Sequence, residues 1–386
     1  MFNGFHLTQP HYFNRKLSKR LEELYFSVAI LDFALAAVVL LEPIYLWQRG
    51  YGVTAIMVYY IVVYGLYFFL APLGGKLVAE HGPERSIAAS TIMLTGYYVS
   101  LLLLPANPMW FWIAPVFFAL QKMLYWPAYH ADFVDNSDSG ERGKEYSALW
   151  SLTTVVFVLG PLVGGTIVSI FGFSMLFYFV IALILCSSIP LFMNPMPRRE
   201  QVYSYWAGLV APFRPRFLRW TVAFLGLGEE LILLTIWPLF IALEFKSYEK
   251  FGLVISAATL VTALVTLGLG QFIDKKSPRT PLRLATLFTA LTWAFRPFVA
   301  SAQMVFLSDT VGRVVKNVTF VSLSAEVYNR AAKERLAIVH GVLLEQGFSL
   351  AKCLAALLVI IFAHFFNAFT ASFLVATIMS LFYLVL

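Results

Sequence analysis

Charge is scarce in this sequence. Asp, Glu, Lys and Arg make up 13% of its 386 residues, against 60% hydrophobic residues and a mean hydropathy of +0.77. Ordinary soluble domains carry about 25% charged residues. A soluble chain of this size has nowhere to hide so much apolar surface, so a polytopic membrane protein is expected. Cysteine is scarcer still: Cys186 and Cys353 both fall inside apolar runs, which leaves no disulfide framework and no metal-ligand cluster in view. A phosphate-binding glycine loop and a nucleophile elbow are also missing. Their absence argues against ATP-driven pumping by this chain, makes an enzyme unexpected and implies no cofactor. The first 24 residues are polar and basic and the apolar run from Tyr25 is full-length, so a first transmembrane segment is expected rather than a cleaved leader.

What is present is a series of apolar runs, each long enough to cross about 30 Å of hydrocarbon. Twelve can be drawn: Tyr25–Trp47, Val53–Ala79, Ser86–Leu104, Met109–Asp132, Ser147–Ile170 and Phe173–Met193, then Trp220–Glu244, Lys250–Ile273, Leu282–Val299, Gln303–Glu326, Leu336–Phe362 and Asn367–Leu386. An even number puts both termini on one side. Twenty Lys and Arg residues fall in the loops of that side and four (Arg49, Lys246, Lys250, Arg296) in the opposite loops. The positive-inside rule then predicts cytoplasmic termini in an inner-membrane protein. The net charge of +7 is thus a topology signal, and no nucleic-acid partner is expected.

The two halves repeat. Pro43 and Pro238, Gly75 and Gly270, and Pro83 and Pro278 are each 195 positions apart; Lys122 and Lys316, like Asp132 and Glu326, are 194 apart. The fold class expected is all-α: twelve transmembrane helices in two pseudo-symmetric six-helix bundles, with a site between them. The domains are a 1–24 cytoplasmic segment, a 25–193 bundle, a 194–219 linker loop and a 220–386 bundle. Within the linker, "VYSYWAGLV" reads as an interfacial helix.

The loop after the second run reads "GKLVAEHGPER", with Gly75, Gly82 and Arg85; its second-half copy, "GQFIDKKSPR", holds Gly270, Asp274, Lys275 and Arg279. The fifth run contains "VVFVLGPLVGG", with Gly160, Pro161, Gly164 and Gly165. In these motifs and in its doubled plan the chain resembles the major facilitator superfamily over nearly its whole length. The resemblance implies a latch at the two loops. The first copy departs from it with Ala79 where the carboxylate belongs and Glu80 one place late; Ser277 replaces a glycine in the second. The fifth-run stretch resembles the family's antiporter motif with Val156 in place of the first Gly, while the basic residue that antiporters carry early in the fourth run aligns near Pro115. Gating is accordingly assigned to Gly75, Gly82, Arg85, Asp132, Gly160, Pro161, Gly270, Asp274, Lys275 and Arg279.

Ten charged residues lie within the runs: Lys122, Arg313, Lys316, Lys352, Asp32, Glu42, Glu229, Glu230, Asp309 and Glu345. Each costs about 2.5–3.5 kcal/mol near the bilayer centre on insertion scales. They occupy the first, fourth, seventh, tenth and eleventh runs, and in the fold that the resemblance implies, these line or border the central cavity. At 1.5 Å per residue, Lys122 and Lys316 each lie about 15 Å from the cytoplasmic end, close to mid-membrane on symmetry-related helices. Lys122, Tyr125, Trp126, Tyr129, Arg313 and Lys316 are the expected substrate-binding residues. Asp32, Glu229, Glu230, Asp309 and Glu345 are the candidates for proton coupling, because a buried carboxylate near a cation changes protonation when a substrate competes for that cation. Adjacent on a helix, Glu229 and Glu230 splay about 100° apart, so at most one faces the cavity centre. Asp309 and Arg313 can neutralise each other. Glu42 reads as an interfacial or gate contact, His130 and His340 as polar contacts near span ends, and the aromatic residues as interface belt and lipid-facing bulk.

These residues predict a secondary active transporter that moves a small anionic or zwitterionic solute by alternating access, proton-coupled and leaning to efflux by antiport. Proton-symport uptake and efflux of lipophilic cations are the alternatives within transport; a non-transporting receptor or scaffold is the alternative outside it. The expected partners are the lipid bilayer, the solute and protons, with the chain a monomer.

Overall fold

The structure is a computed structural model that describes residues 19–136, 142–188, 203–273, 279–334 and 337–385, with side-chain surroundings for 26–132, 155–188, 203–265, 282–320, 323 and 338–385. Every described element is helical. In order they are α1 (Lys19–Val38), α2 (Glu42–Gln48), α3 (Val53–His81), α4 (Pro83–Leu103), α5 (Trp110–Asn136), α6 (Arg142–Ser187), α7 (Tyr205–Leu209), α8 (Pro215–Phe224), α9 (Glu229–Leu234), α10 (Ile236–Phe245), α11 (Tyr248–Ile273), α12 (Arg279–Phe295), α13 (Ala302–Glu334), α14 (Ala337–Phe362) and α15 (Ala368–Ser380).

These make twelve passes. α1 with α2 form the first, and α8, α9 and α10 the seventh. The long α6 supplies the fifth and sixth, turning at Gly172, whose φ of +82° favours a residue without a β-carbon. Eight described segments are long and apolar enough to span a membrane by composition alone. α12 is 17 residues long; α13 carries Asp309, Arg313 and Lys316 within its described part. α5 is diluted by Lys122, two prolines and amphipathic aromatics. The fourth and tenth passes read as poor membrane helices because their polar faces meet other protein, not lipid.

The repeat is visible in the backbone. The first pass breaks at Val39–Leu41, just before Pro43, and the seventh breaks at Thr235, just before Pro238. Proline has no N–H and its ring clashes with the carbonyl four residues back, at Val39 and Leu234 respectively. Both breaks therefore have the same local cause at positions related by the repeat. A short helix, α7, does form in the linker, where the Ser204 hydroxyl caps the Ala207 N–H at 3.4 Å.

The two bundles meet on both sides of the membrane midplane. On the side of the linker, Gly75 of α3 lies against α14, where an added β-carbon would come within 2.8 Å of Val342 and 3.1 Å of Ile338. On the far side, Gly165 of α6 packs on the Tyr248 backbone of α11 and Gly252 of α11 on the Pro161 backbone, and Gln48 Nε2 donates to the Tyr248 hydroxyl. Small residues let backbones approach this closely. A Gly165→Leu substitution should hold α6 and α11 apart, slowing transport in proteoliposomes at least tenfold while leaving ligand binding in detergent intact; unchanged transport would mean this contact is not part of the cycle.

Candidate functional site

Among the described residues, three clusters of paired buried charge are built between and within the bundles. The central one joins both. Lys316 Nζ lies 2.5 Å from Glu229 and 3.5 Å from Glu230, and Lys352 Nζ of α14 lies 3.0 Å from Glu230. Glu229 also accepts from the indole N–H of Trp293 at 2.9 Å, and the Lys316 ammonium reaches the Tyr383 hydroxyl at 3.4 Å. As the 100° splay requires, the two carboxylates face differently: Glu229 is sunk in the second bundle with 1% of its side chain exposed, whereas Glu230 keeps 21%.

From the first bundle, Lys122 and Tyr64 complete this centre. Two ammonium groups approach the Tyr64 ring, Lys352 at 4.8 Å and Lys122 at 5.5 Å from its centroid, and its hydroxyl is 3.4 Å from Lys352. Lys122 also sits 4.3 Å over the Phe118 ring. Among the described residues no carboxylate comes within ion-pair distance of Lys122. Lys316 and Lys352 are matched by Glu229 and Glu230, so three lysines and two carboxylates leave one positive charge over, on Lys122. The symmetry that made Lys122 and Lys316 equivalent in the sequence does not extend to their partners.

Tyr125, Trp126 and Tyr129 continue the α5 face toward the linker side, with Tyr125 and Tyr129 stacked at 5.8 Å and Trp126 stacked on His130 at 5.9 Å. Asp32 of α1 is half-buried.

The second cluster lies nearer the linker. His130 Nε2 is 2.8 Å from Glu345 Oε1, and the Tyr67 hydroxyl donates to Glu345 Oε2 at 3.0 Å. His130, read from the sequence as a plain polar contact, thus joins α5 to α14 through a carboxylate 215 positions away. Glu345 and Lys352 share a face of α14 yet hold different partners, with Ser349 returned to the Glu345 carbonyl at 2.8 Å.

The third cluster is Arg313 with Asp309 at 2.6 Å, the self-neutralising pair that the spacing predicts, with the Trp237 indole donating to Asp309 at 2.9 Å. Beside it is Arg296, counted above as a far-side loop charge. It is instead 1% exposed, its guanidinium 4.1 Å from the Trp237 ring and 3.8 Å from the Trp293 ring. Cation–π contacts with two indoles substitute for water around a guanidinium.

Of the residues assigned to gating, Gly160 packs on Ala36 and Pro161 on α11, while the neighbouring Gly164 and Gly165 of the same motif pack on the Ala37 backbone and on α11. Asp132 is buried, Arg85 is exposed, and Gly82 links α3 to α4 with a φ of +85°. Gly270 lies in α11 and Arg279 begins α12, at positions without described surroundings; Asp274 and Lys275 fall outside the described residues.

Two six-helix bundles around a charged, aromatic-lined centre define a membrane transporter fold. The chain belongs to the Major Facilitator Superfamily, whose model matches residues 24–332. A search of curated protein sequences gives no match. Among solved structures, the human organic anion transporter MFSD10 (TETRAN) is similar with a TM-score of 0.71 and 16% identity, over 96% of this chain and 100% of that one. The E. coli fucose:proton symporter FucP is similar with a TM-score of 0.68 and 11% identity, over 96% and 98%.

Proposed function

We propose that this chain is a proton-coupled secondary transporter of a monovalent organic anion, or of a zwitterion presenting its carboxylate, that works by alternating access. Its two bundles, 25–193 and 220–386, rock about the central charge cluster in an inner membrane with both termini cytoplasmic, as a monomer. The observation that carries the reading is the unmatched ammonium of Lys122, at mid-membrane and among aromatic rings. A cation left without a partner in such a place is stabilised by an anionic ligand, and Phe118, Tyr64 and Trp126 supply apolar surface for its organic part. A lipophilic cation would be repelled by the same excess charge. The description of the human neighbour as an organic anion transporter agrees with this charge, and that of the E. coli neighbour as a proton symporter agrees with proton coupling. The glycines of the fifth pass are accounted for by packing against α1 and α11, which takes away the weight they lent to antiport.

Melting curves of the purified protein test the charge class. Benzenesulfonate as monoanion, phenylalanine as zwitterion, tetraphenylphosphonium as cation and a neutral sugar are compared at equal concentration. A ligand that binds the folded state alone stabilises it by about 2.7 kcal/mol at a hundredfold excess over Kd. The expected result is stabilisation by the first or second. Stabilisation by the cation alone overturns the anion reading, and a flat response to all four favours a scaffold.

A further inference from the structure

Glu42 is a buried carboxylate that the central site does not use. It stands at the break of the first pass, where α2 begins, and is 2% exposed. Its two oxygens accept from phenols of α4: Oε1 from Tyr98 at 2.7 Å and Oε2 from Tyr97 at 2.9 Å, both tyrosines fully buried. Tyr59 of α3 adds a third fully buried phenol beside Tyr97, and Tyr60 follows it. Phe177 of α6 closes over Tyr98.

No cation sits within ion-pair distance of Glu42 among the described residues. Arg49, at the end of its own element, is exposed and lies over the Tyr45 ring at 5.0 Å, and Glu244 of the adjacent α10 is exposed. The basic side chain that the packing ties to Glu42 is Lys122 of α5: its ammonium lies 4.3 Å over the Phe118 ring, Phe118 is stacked on Tyr97 at 4.5 Å, and Tyr97 donates to Glu42. Phenol donors satisfy a carboxylate's lone pairs but do not cancel its charge, and an isolated buried anion is unstable unless it is neutralised. The charge state of Glu42 therefore hangs on Lys122, the residue to which the proposed substrate anion binds. Four other buried carboxylates differ: Glu229 and Glu230 are held by lysines, Asp309 by Arg313 and Glu345 by His130.

We infer that Glu42 in its tyrosine cage is the site of the transported proton, linked through Lys122 to substrate, so that anion and proton travel together. This rests on the anion reading above. When the anion pairs with Lys122, the positive charge that faced Glu42 is taken up, and the carboxylate accepts one proton from water on the entry side. When the anion leaves on the other side, the field of Lys122 returns and the carboxyl gives the proton up there. One monoanion and one proton cross in the same direction with no net charge. Tyr60 and Tyr64, stacked at 6.3 Å on one face of α3, connect the cage to the ring that Lys122 touches.

The test compares wild type with Glu42→Gln, the isostere of the protonated acid, in proteoliposomes with radiolabelled benzenesulfonate. This anion stays ionised, so it does not leak across as a neutral acid. Wild type should accumulate it under a pH gradient, acid outside. Glu42→Gln should keep exchange of internal for external label but lose gradient-driven accumulation at least tenfold, and should lose the infrared carbonyl band of a protonated buried carboxyl group. Retained gradient-driven accumulation, or an unchanged band, overturns the proposal. Should Glu42→Gln fail to fold, Tyr98→Phe keeps the carboxylate and removes one donor: a moved pH profile of uptake supports the proposal and an unmoved profile overturns it. Should wild type neither bind nor carry benzenesulfonate while the Glu42-dependent band still titrates, the anion reading falls and the proton site stands apart from it.

Discussion

Lys122→Gln should abolish the stabilisation by anions while leaving the ligand-free protein as stable as wild type or more so. The two halves of this outcome have one cause. Lys122 has no carboxylate within ion-pair distance to leave stranded, and Glu42, which its charge faces, is neutralised by a proton when that charge is gone, so its removal exposes no uncompensated charge. It takes away a buried ammonium that costs about 2.5–3.5 kcal/mol on insertion scales. The contacts with Phe118 and Tyr64 return a part of this, about 0.5–2 kcal/mol each. A bound anion, by contrast, loses a desolvated charged partner, and truncations of that kind cost about 2–5 kcal/mol, which is at least thirtyfold in affinity. Melting curves with and without benzenesulfonate read both effects at once. A Lys122→Gln protein that melts well below wild type without ligand would mark the lysine as structural, and one that still responds to the anion would move the site elsewhere. Binding groups kept at a cost to stability are a common property of functional sites.

The sequence exposes the fold because bilayer physics writes it there in length and charge. Twelve apolar runs, the positive loops and the doubled prolines need no tertiary knowledge, and the chain breaks before Pro43 and Pro238 follow from proline's missing N–H. Site residues are legible only as a set. Depth and symmetry single out Lys122 and Lys316, but partners cross between helices that are far apart in sequence. Nothing in the spacing of α5 and α14 reveals that His130 meets Glu345, or that Lys352 and Lys316 share Glu230. The surroundings of Glu42 are hidden for a related reason. Near the end of an apolar run it reads as an interfacial or gate contact, and only the turn at Val39–Leu41 and the packing of α4 show its partners, Tyr97 and Tyr98. Arg296 likewise looks like a loop charge until two tryptophans from different passes close on it. Tyrosines add to the difficulty, since composition cannot separate an interface belt from the buried row of Tyr59, Tyr60, Tyr64 and Tyr67 on α3.

Lys316→Met, at the position related to Lys122 by the repeat, should behave in the opposite way. It strands Glu229, which is 1% exposed and keeps the Trp293 indole as its remaining hydrogen-bond donor. Removing one partner of a buried ion pair costs about 3–5 kcal/mol, because the other charge stays buried without compensation. Glu230 is spared, since Lys352 holds it at 3.0 Å. Adding Glu229→Gln to Lys316→Met removes the stranded charge and keeps an acceptor for Trp293, so the double variant should recover most of the lost stability, as replacing both partners of a buried pair commonly does. Its effect on binding separates pairing from net charge. Wild type has Lys122, Lys316 and Lys352 against Glu229 and Glu230, an excess of one positive charge. Lys316→Met alone cancels that excess and should weaken binding of benzenesulfonate. The double variant restores the excess, with Lys122 and Lys352 against Glu230, and should bind again. A double-mutant cycle followed by unfolding and by ligand-induced melting shifts gives both coupling energies. Stability rescued without binding would make Lys316 itself a ligand of the anion; rescue of both would leave it as the counterion that keeps Glu229 in place and Lys122 as the residue that receives the substrate.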